Sequence, residues 1–399
     1  MLGIAMPLRI SGVALEQGAL ALALVGCLFV FFTTKNVRDL VKFAMASPVG
    51  YASVFVFVIW CVTAFFSIDV LGSLKIGGRT ALFLLLSVLV WAVLICHTGR
   101  HQLLWKTLII SSLACATMAL IAMNGFSELA SIIKGNGFLR NSPYVILKPF
   151  SASLLCLIPV VAWCGRNLGG CWRWFGYALA PLALVIIVQT SNRAALAGYI
   201  VMAFTGVVLV SITNRQHVKA IFSATAAGIS AGFAWLYFHE IGRPPIEGMY
   251  LPEWLIDPHR QQIWKFAFHR FLEKPWFGNG IDQLNKLPGA NLHVPGLDAS
   301  AAFIPSHPHS WVMEILAETG VVGFLPVVFT LGFLAIRLIK RYLKDGNDGD
   351  LTLLILMSGF WASALFNFSI WAVWWQLTFF VLFAIIASAR NPKTLSETP

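Results

Sequence analysis

The sequence contains few charged residues. Only 11% of its 399 residues are Asp, Glu, Lys or Arg, and 58% are hydrophobic, whereas soluble proteins carry about 25% charged residues. Such a chain cannot cover its surface with charged groups, so a soluble globular protein is excluded. Runs of about 20 apolar residues recur along the whole length, which predicts repeated membrane-spanning helices.

Clusters of side chains that could hold a metal are also lacking. The seven cysteines lie within or beside apolar segments, and no two of them have CxxC spacing, which argues against a zinc site or a disulfide framework. Most carboxylates are scattered, and the group formed by Asp345, Asp348 and Asp350 lacks the spacing and the final Glu of an EF-hand loop. We therefore expect neither a metal nor another cofactor.

The net charge of +11 arises without a basic cluster. Lys and Arg lie in short loops between apolar runs, and this distribution fits membrane orientation and an anionic substrate better than binding to nucleic acid. We expect no nucleic-acid partner.

Eleven apolar segments are long enough to cross about 30 Å of hydrocarbon. They lie near residues 11–33, 49–71, 78–97, 103–123, 143–165, 174–190, 193–212, 218–238, 319–339, 351–369 and 371–389. The predicted fold is an all-α polytopic membrane protein with 11 to 12 transmembrane helices, since residues 1–33 could hide one more short helix.

One long polar stretch, residues 240–308, separates the eighth segment from the ninth and holds nine of the 18 prolines. We predict a partly helical extramembrane loop here. The domain boundaries that follow are residues 1–239 for the N-terminal helices, 240–318 for the loop domain, and 319–399 for three closing helices with a short tail.

The orientation follows from the excess of Lys and Arg in short cytoplasmic loops. The cytoplasmic set is Lys35, Arg38, Lys42, Arg100, Lys106, Arg166, Arg173, Arg215, Lys219, Arg337, Lys340, Arg341, Lys344, Arg390 and Lys393. The long loop then faces outward, into the periplasm of a Gram-negative cell.

Five further cations lie at the outer ends of spans, where the topological rule disfavours them: Lys75, Arg79, Arg140, Lys148 and Arg193. A single one of them could extend to lipid headgroups. Five on one face favour a shared anionic ligand, such as a lipid that carries a diphosphate.

Two stretches contain residue types suited to catalysis. Ser191 and Arg193 lie at a polar break between two apolar runs, which indicates a functional position. The alternative interpretation is a tight hairpin at the outer ends of two spans. In the long loop, Asp257-Pro258 predicts the start of a helix that places Arg260 and Trp264 on one stripe.

Pro308 is also expected at the first position of a helix, which would end at Gly320. His309 would then lie near a helix N-terminus, where the dipole disfavours imidazolium. His307 and His309 could each be a helix cap rather than a site residue.

The order of these elements resembles the O-antigen ligase and polymerase superfamily of bacterial inner membranes. The matching positions are Ser191, Arg193, Ala194, Arg260, Trp264, Ala267, Pro275, Gly278, Gly280, His307, His309, Ala317, Glu318, Gly320 and Gly323. The resemblance covers residues 190–389, and Ser310 stands where family members often have Asn.

The resemblance implies transfer of an O-antigen glycan from undecaprenyl diphosphate to a hydroxyl of lipid A-core, on the periplasmic face of the inner membrane. The leaving diphosphate calls for fixed cations, which Arg193 and Arg260 can supply, and the acceptor hydroxyl calls for a neutral base, which His309 can supply. Substrate-binding roles are expected for Arg79, Arg140, Lys75, Lys148, His307, Ser191 and Trp264. The partners are therefore the lipid-linked donor, the lipid A-core acceptor and membrane lipids.

Several alternatives remain open. A single dominant outer loop favours a ligase over a polymerase of the same superfamily, and a protein O-oligosaccharyltransferase is a third choice. A lipid-linked glycan transporter would be expected to carry charges at mid-membrane depth or an internal repeat, and the sequence shows neither.

Overall fold

The computed structural model describes residues 1–125, 143–213, 256–297 and 301–389. Within these ranges the regular elements are helices, and β-pairing is limited to a bridge between His293 and Ala302. The predicted segment 218–238 and the predicted binding residue Arg140 lie outside the described residues.

The described α-helices are, in chain order, Leu2–Ala5 (α1), Val13–Thr33 (α2), Lys35–Met45 (α3), Pro48–Ala64 (α4), Val70–Cys96 (α5), His101–Met123 (α6), Pro143–Ile146 (α7), Lys148–Leu168 (α8), Gly170–Gln189 (α9), Arg193–Thr213 (α10), Pro258–Glu273 (α11), Trp311–Asp345 (α12), Asp348–Ala364 (α13) and Val373–Ser388 (α14). Among them, seven are long and apolar enough to cross a membrane, or eight spans are present if α3 and α4, bent by 68°, count as one. The protein is a multi-pass, all-α membrane protein, as predicted, although the predicted number of 11 to 12 spans is not established by this count.

Helix α8 is the most deeply buried of these spans, because α6, α9, α10, α13 and α14 pack around it. Its sequence is apolar or small on every face, as expected for a helix without a solvent side. Glycines allow the closest approach: a Cβ built at Gly165 would lie 3.0 Å from the Cα of Gly176 on α9. This packing fixes the position of α8, the helix that begins at Lys148.

The long loop between α10 and α12 carries a small core of its own. Helix α11 and the residues after it bury apolar side chains against the first turns of α12; this core comprises Ile263, Ala267, Leu284, Leu287, Ala290, Ile304 and Ala317. The Asn279 amide adds two hydrogen bonds, to the carbonyls of Arg270 at 3.0 Å and Ala317 at 2.9 Å. The loop is therefore docked on α12.

Gly320 breaks α12 into two segments, at the position where the sequence predicted a helix stop. Its φ of 65° and ψ of −174° belong to a region that glycine alone adopts without strain. The break frees backbone groups that pair with the glycine-rich segment after α11. Gly280 N–H donates to the Glu318 carbonyl at 2.8 Å, and Val321 N–H donates to the Pro275 carbonyl at 2.8 Å. The two glycine motifs of the sequence thus meet and satisfy each other's backbone.

Gly320→Ala should lower the free energy of unfolding by about 2–4 kcal/mol. The added methyl group would collide with the Trp276 carbonyl, and the backbone angle is unfavourable for alanine. Thermal unfolding of the purified protein in detergent measures the effect. Gly332→Ala is the matched control on the same helix, because an added Cβ meets no heavy atom within 4 Å there. Equal Tm values for the two variants would contradict the prediction.

Candidate active site

The turn between α9 and α10 is built by polar residues that bond to the start of α8. Ser191 has a left-handed φ of 48°, and the Asn192 oxygen caps the first turn of α10. The Asn192 amide nitrogen donates to Ser151 Oγ at 2.9 Å and to the Lys148 carbonyl at 3.1 Å. This turn therefore brings Arg193, the first residue of α10, close to Lys148, the first residue of α8.

Arg260 belongs to the long loop, and its side chain lies near Lys148 and Arg193. Asp257 is the N-cap of α11, as predicted, and its carboxylate accepts the backbone N–H groups of His259 and Arg260 at 2.9 and 3.3 Å. One helical turn of α11 directs the Arg260 guanidinium toward the membrane helices, where Nη1 donates to the Phe366 carbonyl at 2.8 Å.

Electrostatics connects three of the predicted cations. Burial lowers the pKa of the Arg260 guanidinium, Asp257 opposes this shift, and Arg193 adds to it by charge repulsion. Lys148 is within electrostatic reach of both arginines. The three cations carry charge of one sign within electrostatic reach of one another, so an anion bound among them would reduce their mutual repulsion.

The start of α12 differs from the sequence prediction. Pro308 does not open the helix, which begins at Trp311 with Ser310 as its N-cap; the prediction that His307 could cap a helix opened by Pro308 is therefore wrong. His309 has a left-handed φ of 54°, which keeps the residues before Ser310 out of the helix. The Pro308 carbonyl accepts the indole N–H of Trp264 at 2.9 Å, so this tryptophan supports the backbone beside His309.

The turn between α13 and α14, residues 365–372, is here called the closing turn. The His309 Nδ1 atom lies 3.1 Å from the Asn367 carbonyl of this turn. Since a carbonyl oxygen can only accept, Nδ1 carries the proton and Nε2 keeps its lone pair. The ring of His307 lies beside it, with ring centroids 4.2 Å apart.

Both histidine rings are neutral at neutral pH. Burial lowers the pKa of His309 to about 3, and repulsion from His307 and Arg260 contributes to this shift. Burial also lowers the pKa of His307 to about 4. His309 Nε2 is thus a proton acceptor placed beside a group of cations.

The closing turn also contacts Arg79, at its other end. Arg79 Nη2 donates to the Trp371 carbonyl at 2.5 Å, and the Arg79 charge interacts with Asp282. Lys75 is exposed one turn earlier on α5. The structure thus groups Lys148, Arg193 and the two histidines around Arg260, and it places Arg79 at the far end of the closing turn.

Sequence reasoning missed the closing turn. The predicted spans 351–369 and 371–389 left almost no turn between them, whereas α13 ends at Ala364 and α14 begins at Val373. The polar residues Asn367 and Ser369 within this apolar region were the available signal.

An apolar cavity of about 900 Å³ lies among α3, α4, α5, α12, α13 and α14. It is lined mainly by aliphatic and aromatic side chains, among them Trp60, Leu84, Leu331 and Phe380, and Thr80 lies on its wall next to Arg79 in the sequence. Such a lining is suited to hydrocarbon rather than to sugar.

Comparison with known proteins confirms the family resemblance for part of the chain. Residues 178–328 match the model of the O-antigen ligase family. The chain is 23% identical over 123 residues to a protein of Rickettsia conorii named "Putative polysaccharide ligase", which covers 29% of this chain and 28% of that protein. It is 21% identical over 214 residues to a protein of the same name from Rickettsia typhi, which covers 49% of this chain and 48% of that protein. The chain thus matches about a quarter to a half of the length of these relatives.

Acidification from pH 7 to pH 5 should destabilise the fold through the two histidines. Their folded pKa values lie below the unfolded value of about 6.5, so the unfolded state binds more protons and stability falls as the pH drops below 6.5. At pH 5, protonation of the unfolded state lowers the free energy of unfolding by about 2 kcal/mol for each ring. The double variant His307→Gln/His309→Gln should lose most of this pH dependence in Tm. His293→Gln, at an exposed position in the same loop, is the control and should keep the pH dependence of the wild type. An unchanged pH dependence of Tm in the double variant would refute the conclusion that the two buried histidines cause it.

Proposed function

We propose that this protein, of which residues 178–328 match the O-antigen ligase family, is a glycosyltransferase that moves O-antigen from undecaprenyl diphosphate to lipid A-core. It would act at the periplasmic face of a Gram-negative inner membrane. The observation that carries this proposal is the neutral His309, with its lone pair on Nε2, beside the cations Lys148, Arg193 and Arg260.

The proposed reaction is one displacement. The acceptor oxygen forms a bond to the anomeric carbon of the glycan, and its proton moves to His309 Nε2. The bond between the anomeric carbon and the phosphate oxygen breaks, and undecaprenyl diphosphate leaves with the electron pair. Arg193 and Arg260 would hold the diphosphate, because a guanidinium offers paired donors to phosphate oxygens.

Donor binding would also prepare the base. In the free protein, Arg260 and His307 repel a proton on His309. A diphosphate beside Arg260 compensates that positive charge and so raises the pKa of His309. His309 would therefore accept a proton readily only when the donor is in place, which limits unproductive protonation of the free enzyme.

The proposed mechanism uses no metal. No group of three His, Cys, Asp or Glu side chains in residues 1–125, 143–213, 256–297 and 301–389 could hold a metal ion. The nearby carboxylates already have other partners: Asp69 caps α5, Asp257 caps α11, and Glu314 accepts hydrogen bonds from the closing turn. Protein cations would thus neutralise the diphosphate.

A polymerase or a protein O-oligosaccharyltransferase would use the same chemistry on another acceptor hydroxyl, so the acceptor distinguishes these functions. A transporter is less well supported, since transport has no need of a proton acceptor with a defined tautomer. The apolar cavity, with Thr80 on its wall, is our candidate for the place of a substrate hydrocarbon chain.

A deletion strain tests the function and the role of His309 together. Loss of the lipopolysaccharide ladder with retention of lipid-linked polymer indicates a ligase, whereas a single-repeat band indicates a polymerase.

His309→Ala should fail to restore the ladder, because a general base contributes roughly 10² to 10⁴ in rate. A normal ladder at wild-type expression would remove His309 from the mechanism, and His307→Ala should show a smaller defect.

Arg193→Lys and Arg260→Lys should each retain little activity. Lysine keeps the charge but does not reproduce the paired donors of a guanidinium, and at position 260 it would also lose the bond geometry to the Phe366 carbonyl. Initial rates with purified donor and acceptor measure the effect. The control is Arg270→Lys, at a site where the guanidinium binds Glu273 on the loop. Full activity of both site variants would indicate charge steering alone.

Transfer by the purified protein should continue in excess EDTA. The argument is that Arg193 and Arg260, with Lys148, supply the positive charge that a divalent ion supplies in metal-dependent enzymes. A reaction that stops on chelation and recovers with magnesium or manganese would overturn the proposed site. Asp69, Asp257 and Glu314 would then have to be tested as ligands.

A further inference from the structure

Glu314 is a fully buried carboxylate that binds the closing turn. It lies in the first turn of α12 with no exposed surface. One oxygen accepts the Ser369 hydroxyl at 2.5 Å, and the other accepts the Ile370 backbone N–H at 2.8 Å. Both of its oxygens are thus used by the same short stretch of chain.

That stretch adjoins the carbonyls that orient the candidate catalytic groups. The Phe366 carbonyl accepts from Arg260, and the Asn367 carbonyl accepts from His309. Both carbonyls lie beyond the end of α13 at Ala364, so no intrahelical bond uses them. Their position depends on what holds the turn at its two sides.

Helix α13 holds one side, and Glu314 holds the other. On the α13 side, the Asn367 amide donates to Ser363 Oγ at 3.1 Å, and the Phe366 N–H donates to the Ser363 carbonyl at 3.0 Å. On the far side, the nearest side-chain support is the carboxylate of Glu314. Glu318, one turn later on α12, reinforces it by accepting the Trp371 indole N–H at 2.6 Å.

Glu314 and His309 belong to the same short segment of chain. The Glu314 N–H donates to the Ser310 carbonyl at 2.8 Å, so the carboxylate is separated from the histidine by a single helical turn. A contact between Glu314 and the closing turn therefore sets the distance between His309 Nδ1 and the carbonyl that it binds.

We propose that Glu314 is a positioning residue, which holds the closing turn so that the Asn367 carbonyl keeps the proton of His309 on Nδ1 and the lone pair on Nε2. This inference rests on the proposed function only for its effect on rate. Glu314 is fully buried and both of its oxygens have protein partners, so it acts through the turn and not on the substrate.

A buried carboxyl group contributes little to the stability of a fold, because its desolvation offsets the hydrogen bonds that it makes. Two oxygens that accept from two donors at a fixed spacing do, however, fix the geometry of a turn. Glutamine can reproduce most of this: its oxygen can accept the Ile370 N–H, and its nitrogen can donate to Ser369 Oγ. Alanine can reproduce neither bond.

The first experiment reads the tautomer directly. The ring nitrogens of ¹⁵N-histidine-labelled protein in detergent report which nitrogen carries the proton, and comparison with His309→Gln assigns the signal. The wild type and Glu314→Gln should show His309 with its proton on Nδ1. Glu314→Ala should show a mixture with the Nε2–H form, and Ser369→Ala should lie between. Glu273→Ala, an exposed carboxylate of the same domain, is the control and should match the wild type.

The second experiment measures the transfer rate. Glu314→Ala should lower kcat by about 100-fold, at the lower end of what a general base contributes, and Glu314→Gln should recover to within about tenfold of the wild type. Glu314 and Ser369 share one hydrogen bond, and Ser369 Oγ also accepts the Trp371 backbone N–H at 3.1 Å. Relative to Glu314→Ala, the double variant Glu314→Ala/Ser369→Ala should therefore lose less activity than Ser369→Ala loses relative to the wild type.

The outcomes separate the two proposals. An unchanged His309 tautomer in Glu314→Ala, or losses that multiply in the double variant, would overturn the positioning role. A shifted His309 tautomer in Glu314→Ala, together with a wild-type protein that transfers no glycan, would support the positioning role and refute the proposed function. If Glu314→Ala does not fold, Ser369→Ala decides. It removes one of the two bonds of Glu314, together with the bond from the Trp371 backbone N–H to Ser369 Oγ, and leaves the Ile370 N–H bond in place. A wild-type tautomer in that variant would then count against the proposal.

Discussion

The backbone carbonyls of the closing turn determine how the candidate site is arranged. Three of them, at Phe366, Asn367 and Trp371, accept hydrogen bonds from Arg260, His309 and Arg79. Carbonyl groups beyond a helix end have no intrahelical donor, and at membrane depth or near it water cannot be relied on to supply one. The side chains that donate to these carbonyls therefore satisfy the backbone of the turn, and the same bonds orient Arg260, His309 and Arg79.

The site concentrates charge of one sign in a partly buried place. Arg193, Arg260 and Lys148 repel one another, and partial burial adds to the cost of the Arg260 charge. The fold tolerates this cost because the helices that carry them are held elsewhere: α8 is surrounded by other helices, and α11 is docked on α12 through its own apolar core. The repulsion is then available to bind an anion, which is the physical basis of the proposed donor site.

The break in α12 links the loop to the membrane helices. Gly320 interrupts the helix, and the backbone of the segment from Pro275 to Gly280 takes the freed hydrogen bonds. Without this pairing, the loop that carries Arg260 would be joined to α12 by side-chain contacts alone. Two glycine motifs that lie about 40 positions apart in the sequence thus form a single structural unit.

The class of the protein follows from composition alone, because the lack of charge and the repeated apolar runs permit only a helical membrane protein. The residue types of the site and the start of α11 are likewise evident in the sequence, since Asp-Pro at a helix start is a local signal. The predicted domain limits at residues 239 and 318, the binding role of Arg140 and the roles assigned to the other site residues remain predictions.

The start of α12 and the ring nitrogen of His309 that holds the proton depend on tertiary contacts. The backbone of His309 is left-handed, and its ring meets a carbonyl 58 positions later in the chain. A pattern of local propensities carries no information about a partner so distant, and the role of Glu314 depends on the same turn. The residue types of the candidate site indicate its chemistry, whereas its geometry follows from how two distant parts of the chain pack together.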